Sequence, residues 1–418
     1  VLLGHVEFEA SPAVRLYTEV SGAWTDSGGH SQQPRDNGTL IIQRDNAFLP
    51  ASVRADMVAA NLDTITVGRL NNDSGFVKIH PFNKTFRAVG GVKGNLGSDW
   101  TYDAYVEYGR NRYGIDTGPN NRIAANYLKA IDAVVDPANG EIVCRSTLTD
   151  PGNGCLPQNI FGDGSLKVDN YSFGTASFRL TTTQKVASGT INGSPFSTWA
   201  GPVSVAFGAE YRKEEASGTS DPLSQQVQPS GSIGAFVIGN QLPIAGHYDL
   251  WEIFGEAVVP LLRDSPLGKS FDLNGAVRRT DYSTSGAVVT WKGGVTYEPF
   301  DGLRLRATRS RDIRAPNLGE LFQAGGSSFT NVFDKVLNQT VQVREFSLGN
   351  TQLRPERADT LTAGVVYQPR FLSGLSLSVD YYNIKVHDAI GTISTPLAIQ
   401  RCDAGLTQFC SAIVFNPD

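Results

Sequence analysis

The chain has 418 residues, 40% hydrophobic but only 18% charged, with 44 glycines and a net charge of -5, where soluble domains carry about 25% charged residues. A pI of 5.6 without a surplus of Lys and Arg excludes a general nucleic-acid binder, because phosphate binding needs concentrated positive charge. The apolar runs fall short of the roughly 18 to 20 residues of a membrane-spanning helix, the glycines keep no collagen-like period, and 10% aromatics is too many for a disordered chain, which leaves a globular or β-barrel protein.

The opening Val-Leu-Leu-Gly-His-Val-Glu-Phe has neither a basic start nor a small-residue cleavage site and is already strand-like, so the chain is expected to begin inside a fold. Strands are predicted at 2–9 and 13–24, then a long excursion over 25–85 with a helix at 51–61 behind Pro50. Strands at 86–96 and 102–108 follow. In the second, Tyr102, Ala104, Val106 and Tyr108 alternate with Asp103, Tyr105 and Glu107, which makes one face apolar and the other wettable. The excursion over 111–170 contains a second helix, at 122–134, with Ala125, Leu128, Ile131 and Val135 as its apolar stripe. Both helices are expected to cover their own loops.

A strand at 171–182 leads through a link near 185–202 to a strand at 203–212. There Val203, Val205, Phe207, Ala209 and Tyr211 oppose Ser204, Ala206, Gly208, Glu210 and Arg212. After an excursion over 213–247 come strands at 249–260, 270–282, 289–298 and 302–311, then a fourth excursion at 315–352 and strands at 359–368 and 375–382. In the last, Leu375, Leu377, Val379 and Tyr381 alternate with Ser376, Ser378, Asp380 and Tyr382. Residues 415–418 have loop composition, so the chain is expected to stop inside a fold as well. The predicted strands number about twelve and average roughly ten residues, twice the usual length in soluble domains.

The links alternate, short at 10–12, 97–99, 261–269, 299–302 and 369–374, long between; only 283–288 is short where a long one is due. Short turns at one end and long loops at the other are the pattern of an antiparallel transmembrane β-barrel, all-β in class. The rival reading is a secreted soluble β-rich carbohydrate-binding protein or carbohydrate-active enzyme with its site in those loops.

Cys144 lies near Cys155 and Cys402 near Cys410, without zinc spacing and away from the five histidines, which favours two local disulfides in an oxidising compartment over a metal site. No nucleophile elbow, zinc-protease helix or EF-hand loop occurs, so no enzyme, catalytic residue, cofactor or metal is expected. Asp26, Asp150 and Asp163 sit in loops without calcium-ligand spacing and are expected to be solvated. The glycines of 90–97 lie on a strand and suit barrel curvature better than phosphate binding.

The stretch Leu303-Arg-Leu-Arg-Ala-Thr-Arg-Ser-Arg-Asp-Ile-Arg-Ala-Pro-Asn-Leu-Gly-Glu-Leu-Phe322 resembles a rising strand of TonB-dependent outer-membrane receptors, with Arg314, Ala315, Pro316, Glu320 and Leu321 as its Arg-Ala-Pro to Glu-Leu block. Gly349-Asn350, Leu353-Arg-Pro-Glu356 and Asp359-Thr-Leu-Thr-Ala-Gly364 look like the descending strand that follows. Asp45-Asn-Ala-Phe-Leu-Pro50, Val259-Pro-Leu-Leu262 and Trp291-Lys-Gly-Gly-Val-Thr-Tyr297 are further echoes. The resemblance implies that residues 1–418 are the central part of such a barrel, about twelve of about 22 strands, without the plug domain or the closing strands.

It also implies active uptake of a scarce nutrient, a siderophore, a cobalamin-like compound or an oligosaccharide, across the outer membrane of a Gram-negative bacterium. The partners would be the TonB-ExbB-ExbD complex, acting through the plug, outer-membrane lipid and a small extracellular ligand, with the protein a monomer. On the strand parity Arg304 and Arg306 should face the plug, and Glu210, Asp103, Glu107 and Asp380 the lumen. Arg212, Arg314 and Glu320 are the candidate ligand contacts, with a structural ion pair as the alternative for the last two.

Overall fold

The computed structural model describes residues 1–414 apart from 32, 229–231, 336 and 373. Twelve strands follow one another in one antiparallel meander: β1 (Leu2–Ser11), β2 (Val14–Asp26), β3 (Lys78–Leu96), β4 (Trp100–Arg122), β5 (Phe173–Thr198) and β6 (Gly201–Ser220). The series continues through β7 (Ala245–Ser265), β8 (Gly268–Tyr282), β9 (Gly286–Phe300), β10 (Leu303–Arg314), β11 (Glu356–Tyr367) and β12 (Leu377–His387). β1 and β12 are the two edges of this open wall.

Period-two alternation becomes two chemically different faces once register is set. Val106 stands opposite Gly90 and Ala187, whereas Glu107, one residue on, stands opposite Val89 and Val186 on the other face. Val106, Phe207 and Ile253 are 61%, 50% and 51% exposed. Apolar area left in water forgoes about 25 cal/mol per Å², so a continuous face of such residues is suited to a solvent as apolar as itself. Trp24, Tyr108, Tyr211, Trp251 and Trp291 stand on this outer face toward the long-loop ends and Trp100 and Phe300 near the short-turn ends, with Trp199, 83% exposed, in the β5–β6 turn. These are the two aromatic girdles of a membrane barrel.

The turns joining β1 to β2, β3 to β4, β5 to β6, β7 to β8 and β9 to β10 are all short and lie at one end. In the last of them Gly302 has φ 87°, and a Cβ there would collide with the backbone oxygen of Gln368. At the other end only the β8–β9 link is short. The link expected at 185–202 is instead strand: β5 pairs with β4 as far as Gly193 and with β6 on to Thr198, through Gly189 and Gly193 where the alternation in the sequence weakens. β4 likewise reaches Arg122, beyond the strand expected to stop at 108.

The long loops after β2 and β4 do not cover themselves; they build one shared core. Helices α1 (Ala51–Ala59) and α2 (Ala124–Ile131) bring Met57, Tyr127 and Ile131 together with Leu40, Ile42, Leu49, Ile160 and Leu166. The stripe expected on α2 is displaced: Tyr127, Ala130 and Ile131 are buried while Leu128 is exposed, and Val135 belongs to the short strand Ala133–Val135. Cys144–Cys155 closes a loop within this cap and Cys402–Cys410 joins two short helices after β12.

Candidate functional site in the upper lumen

The inner face of the wall is lined by ion pairs between neighbouring strands. Arg87 of β3 lies between Glu19 of β2 and Glu107 of β4, 2.8 Å from the latter, and the Tyr17 hydroxyl donates to Asp103 at 2.8 Å. On the far side Arg304 donates to Glu298 at 2.5 Å, and Arg306 makes a forked contact with Asp380 at 2.8 to 3.0 Å. Asp103, Glu107, Arg304, Arg306 and Asp380 thus share one face of the wall, the face opposite Val106 and Phe207.

Between these groups the inner wall has a concavity of about 440 Å³, within the range of small-molecule sites. Its charged lining is mixed: Arg212, Arg278, Lys292 and Arg311, the last paired with Asp359, with Glu252, Glu256 and Asp312. Glu252 accepts from Arg278 at 2.9 Å and from the Thr280 hydroxyl at 3.0 Å, and Arg212 is held by Glu210 at 2.6 Å. Helix α3 (Leu318–Phe322) folds over its upper end, burying Leu321 against Tyr248 and Leu250.

Arg314 anchors that helix. Its guanidinium donates to Glu356 of β11 at 2.9 and 3.0 Å and to Glu320 of α3 at 3.0 and 3.1 Å, while Asn317 and Glu320 form a reciprocal capping box. The guanidinium of Arg314 and the backbone N–H of Asn317 hold the Glu320 carboxyl below its usual range. Arg314 and Glu320 are therefore committed to each other and to Glu356, and of the three candidate ligand contacts Arg212 alone lines the concavity. Glu252, Arg278, Lys292 and Asp312 were not singled out from the sequence; strand parity in 249–260, 270–282 and 289–298 was the signal that could have found Glu252, Arg278 and Lys292.

The cap over this lumen is tied by two nearly buried ion pairs. Arg122 donates to both oxygens of Asp36 at 2.8 and 3.0 Å, with side chains 8% and 9% exposed, and its guanidinium stacks on Tyr127 at 4.5 Å. Arg69 grips Asp73 with a fork at 2.6 and 2.7 Å, and also donates to the carbonyl of Ile160 at 2.9 Å in the second loop. The Arg69 fork, opposed by burial and aided by the Leu166 N–H, lowers the Asp73 carboxyl from 3.8 to about 2. A carboxylate whose folded value is depressed stabilises the fold above its unfolded value and loses that contribution as pH falls through the folded one. Cap amide protection, taken relative to the intrinsic exchange rate at each pH, should be unchanged from neutral pH to about 5 and fall between about 4 and about 2; Asp73→Asn should remove this acid step, and a step that persists would assign it elsewhere.

The profile of the family described as TonB dependent receptor-like, beta-barrel, matches residues 19–414. The chain belongs to the TonB-dependent receptor β-barrel family. No curated protein matches the sequence. The fold is similar to that of the siderophore receptor PirA from Acinetobacter baumannii, with TM-score 0.51 and 14% identity over 93% of this chain and 43% of that one. The ferric enterobactin receptor PfeA from Pseudomonas aeruginosa aligns with TM-score 0.49 and 15% identity over 92% of this chain and 42% of that one. The chain thus spans less than half the length of these solved structures.

Membership makes this an outer-membrane protein of a Gram-negative bacterium, of a receptor family and not an enzyme family. The apolar face is its lipid face, and the soluble carbohydrate-binding alternative falls away.

Proposed function

We propose that the chain is the barrel part of a TonB-dependent transporter that imports a small metal-chelating ligand of the siderophore class. The observation that carries this reading is the mixed-charge concavity on the inner wall, roofed by α3 and beneath a cap with its own core. Four cations beside three carboxylates suit a compact polar chelate better than an apolar solute. The name of PirA as a siderophore receptor agrees with this.

The inner-membrane proton gradient would drive uptake through TonB-ExbB-ExbD acting on a plug seated in the lumen, in a monomeric receptor, with residues 1–418 as a partial barrel domain. Arg304 and Arg306, nearest the short turns, would face that plug, and Arg212 would meet the ligand. Losing a charge-assisted hydrogen bond costs about 1.5 to 3 kcal/mol. In the full-length protein Arg212→Ala should therefore weaken binding of a ferric siderophore roughly ten- to a hundredfold without raising leakage of small antibiotics. Arg304→Ala with Arg306→Ala should raise leakage and spare binding. Uptake of cobalamin or an oligosaccharide, but of no ferric siderophore, would overturn the substrate class.

A further inference from the structure

Two pairs of cations stand directly opposite one another on the outer face: Lys84 of β3 against Arg112 of β4, and Lys185 of β5 against Lys213 of β6. Arg110 lies between them on the same face, opposite Phe86 and Thr183. Like charges facing each other across antiparallel strands repel, and such a cluster is ordinarily interleaved with acids.

Here the neighbouring acids are few and lie at one side of the cluster: Asp116 is taken by Arg179 at 2.7 Å, Glu215 stands 3.9 Å from Lys213, and Asp249 of β7 is directly opposite Lys213, so the acids balance Lys213 and leave the other four cations. Among the described residues Lys84, Arg110, Arg112 and Lys185 enter no ion pair. The Arg110 Nε is shut off from solvent and has no hydrogen-bond partner, and the Lys84 ammonium lies over the Phe82 ring at 5.8 Å.

Register also fixes the depth. Lys185 is opposite Tyr108 and Lys84 is opposite Trp24, both of the loop-side girdle, and Arg110 is the next outward residue after Tyr108. Girdle aromatics sit at headgroup level, so these cations meet the polar layer of the outer leaflet.

We propose that this cluster on β3–β6 binds the phosphate of an outer-leaflet lipid. Guanidinium forks donate to phosphate oxygens in pairs and the ammonium groups add point charge. A free phosphate would satisfy the charge alone. Trp24 and Phe86, 62% and 45% exposed beside the cations, offer apolar surface that only a lipid would cover. The site is independent of the solute that crosses the lumen.

The test uses the full-length protein in a neutral detergent, titrated with lipid A bearing both phosphates, with dephosphorylated lipid A and with inorganic phosphate. Saturable binding of the phosphorylated form is expected, with about tenfold weaker binding of the dephosphorylated form and no displacement by millimolar inorganic phosphate. Lys84→Gln with Arg112→Gln should weaken binding of phosphorylated lipid A about tenfold while nutrient binding and the heat-modifiable barrel band are unchanged. Equal binding of the two lipids, displacement by inorganic phosphate, or wild-type affinity in the double variant would each overturn the proposal. The comparison of the two lipids needs no variant, so it decides the matter even if the double variant fails to fold.

Discussion

Replacing Phe207 by arginine is expected to prevent barrel assembly, while the same replacement one residue earlier, Ala206→Arg, is expected to be tolerated. Phe207 is 50% exposed on the outer face of β6, away from both girdles. An arginine at the bilayer midplane of a barrel costs about 2 to 4 kcal/mol, a large part of a margin that for whole domains is about 5 to 15 kcal/mol. Ala206 stands on the inner face opposite Glu256, where a guanidinium has water and a carboxylate to meet. Outer-membrane yield and heat-modifiable migration of the two full-length variants decide the matter. Equal yields would remove the assignment of the faces, because insertion of one side chain at adjacent positions differs only in which face receives it.

Arg122→Ala is expected to open the cap and leave the wall intact. The substitution strands Asp36, whose 9%-exposed side chain is otherwise bonded, among the described residues, only by the Asn71 amide at 2.9 Å, and uncovers the Tyr127 ring. Breaking a buried pair by removing one partner costs about 3 to 5 kcal/mol, chiefly because the surviving charge stays buried and uncompensated. That loss falls on the core shared by the two loops, so hydrogen exchange should rise over 35–70 and 124–172 while the ladders of β7 to β11 keep their protection. Asp36→Asn with Arg122→Met, which removes both charges, should recover most of the loss. Uniform exchange across wall and cap in Arg122→Ala would mean that the cap is not a separate cooperative unit.

The local chemistry of this chain was legible where one side chain in two must meet a different solvent. Alternation in β4, β6, β10 and β12 separated Val106 from Glu107, Phe207 from Glu210 and Leu305 from Arg306 before any partner was known, because a strand turns successive side chains to opposite faces whatever lies beside it. The spacing of Cys144 and Cys155, and of Cys402 and Cys410, was likewise local information, and the structure carries both disulfides. Strand ends were less legible: glycines blurred the alternation in β5, and only its ladder with β6 carries it to Thr198.

What tertiary structure alone decided are the contacts between residues far apart in the chain. Asp36 and Arg122 are separated by 86 positions, as are Tyr17 and Asp103, and Asn46 donates to the Ile131 carbonyl across 85. No periodicity in either loop announces such a pairing, so the fusion of two excursions into one cap could not be read from them. Register did the same for charge. Lys84 and Arg112 fell in the excursions expected at 25–85 and 111–170, outside the predicted strands, and a shift by a single residue would set Lys84 against a residue of the opposite parity. Only the observed ladder makes them neighbours and leaves a cationic patch at the depth of the lipid headgroups.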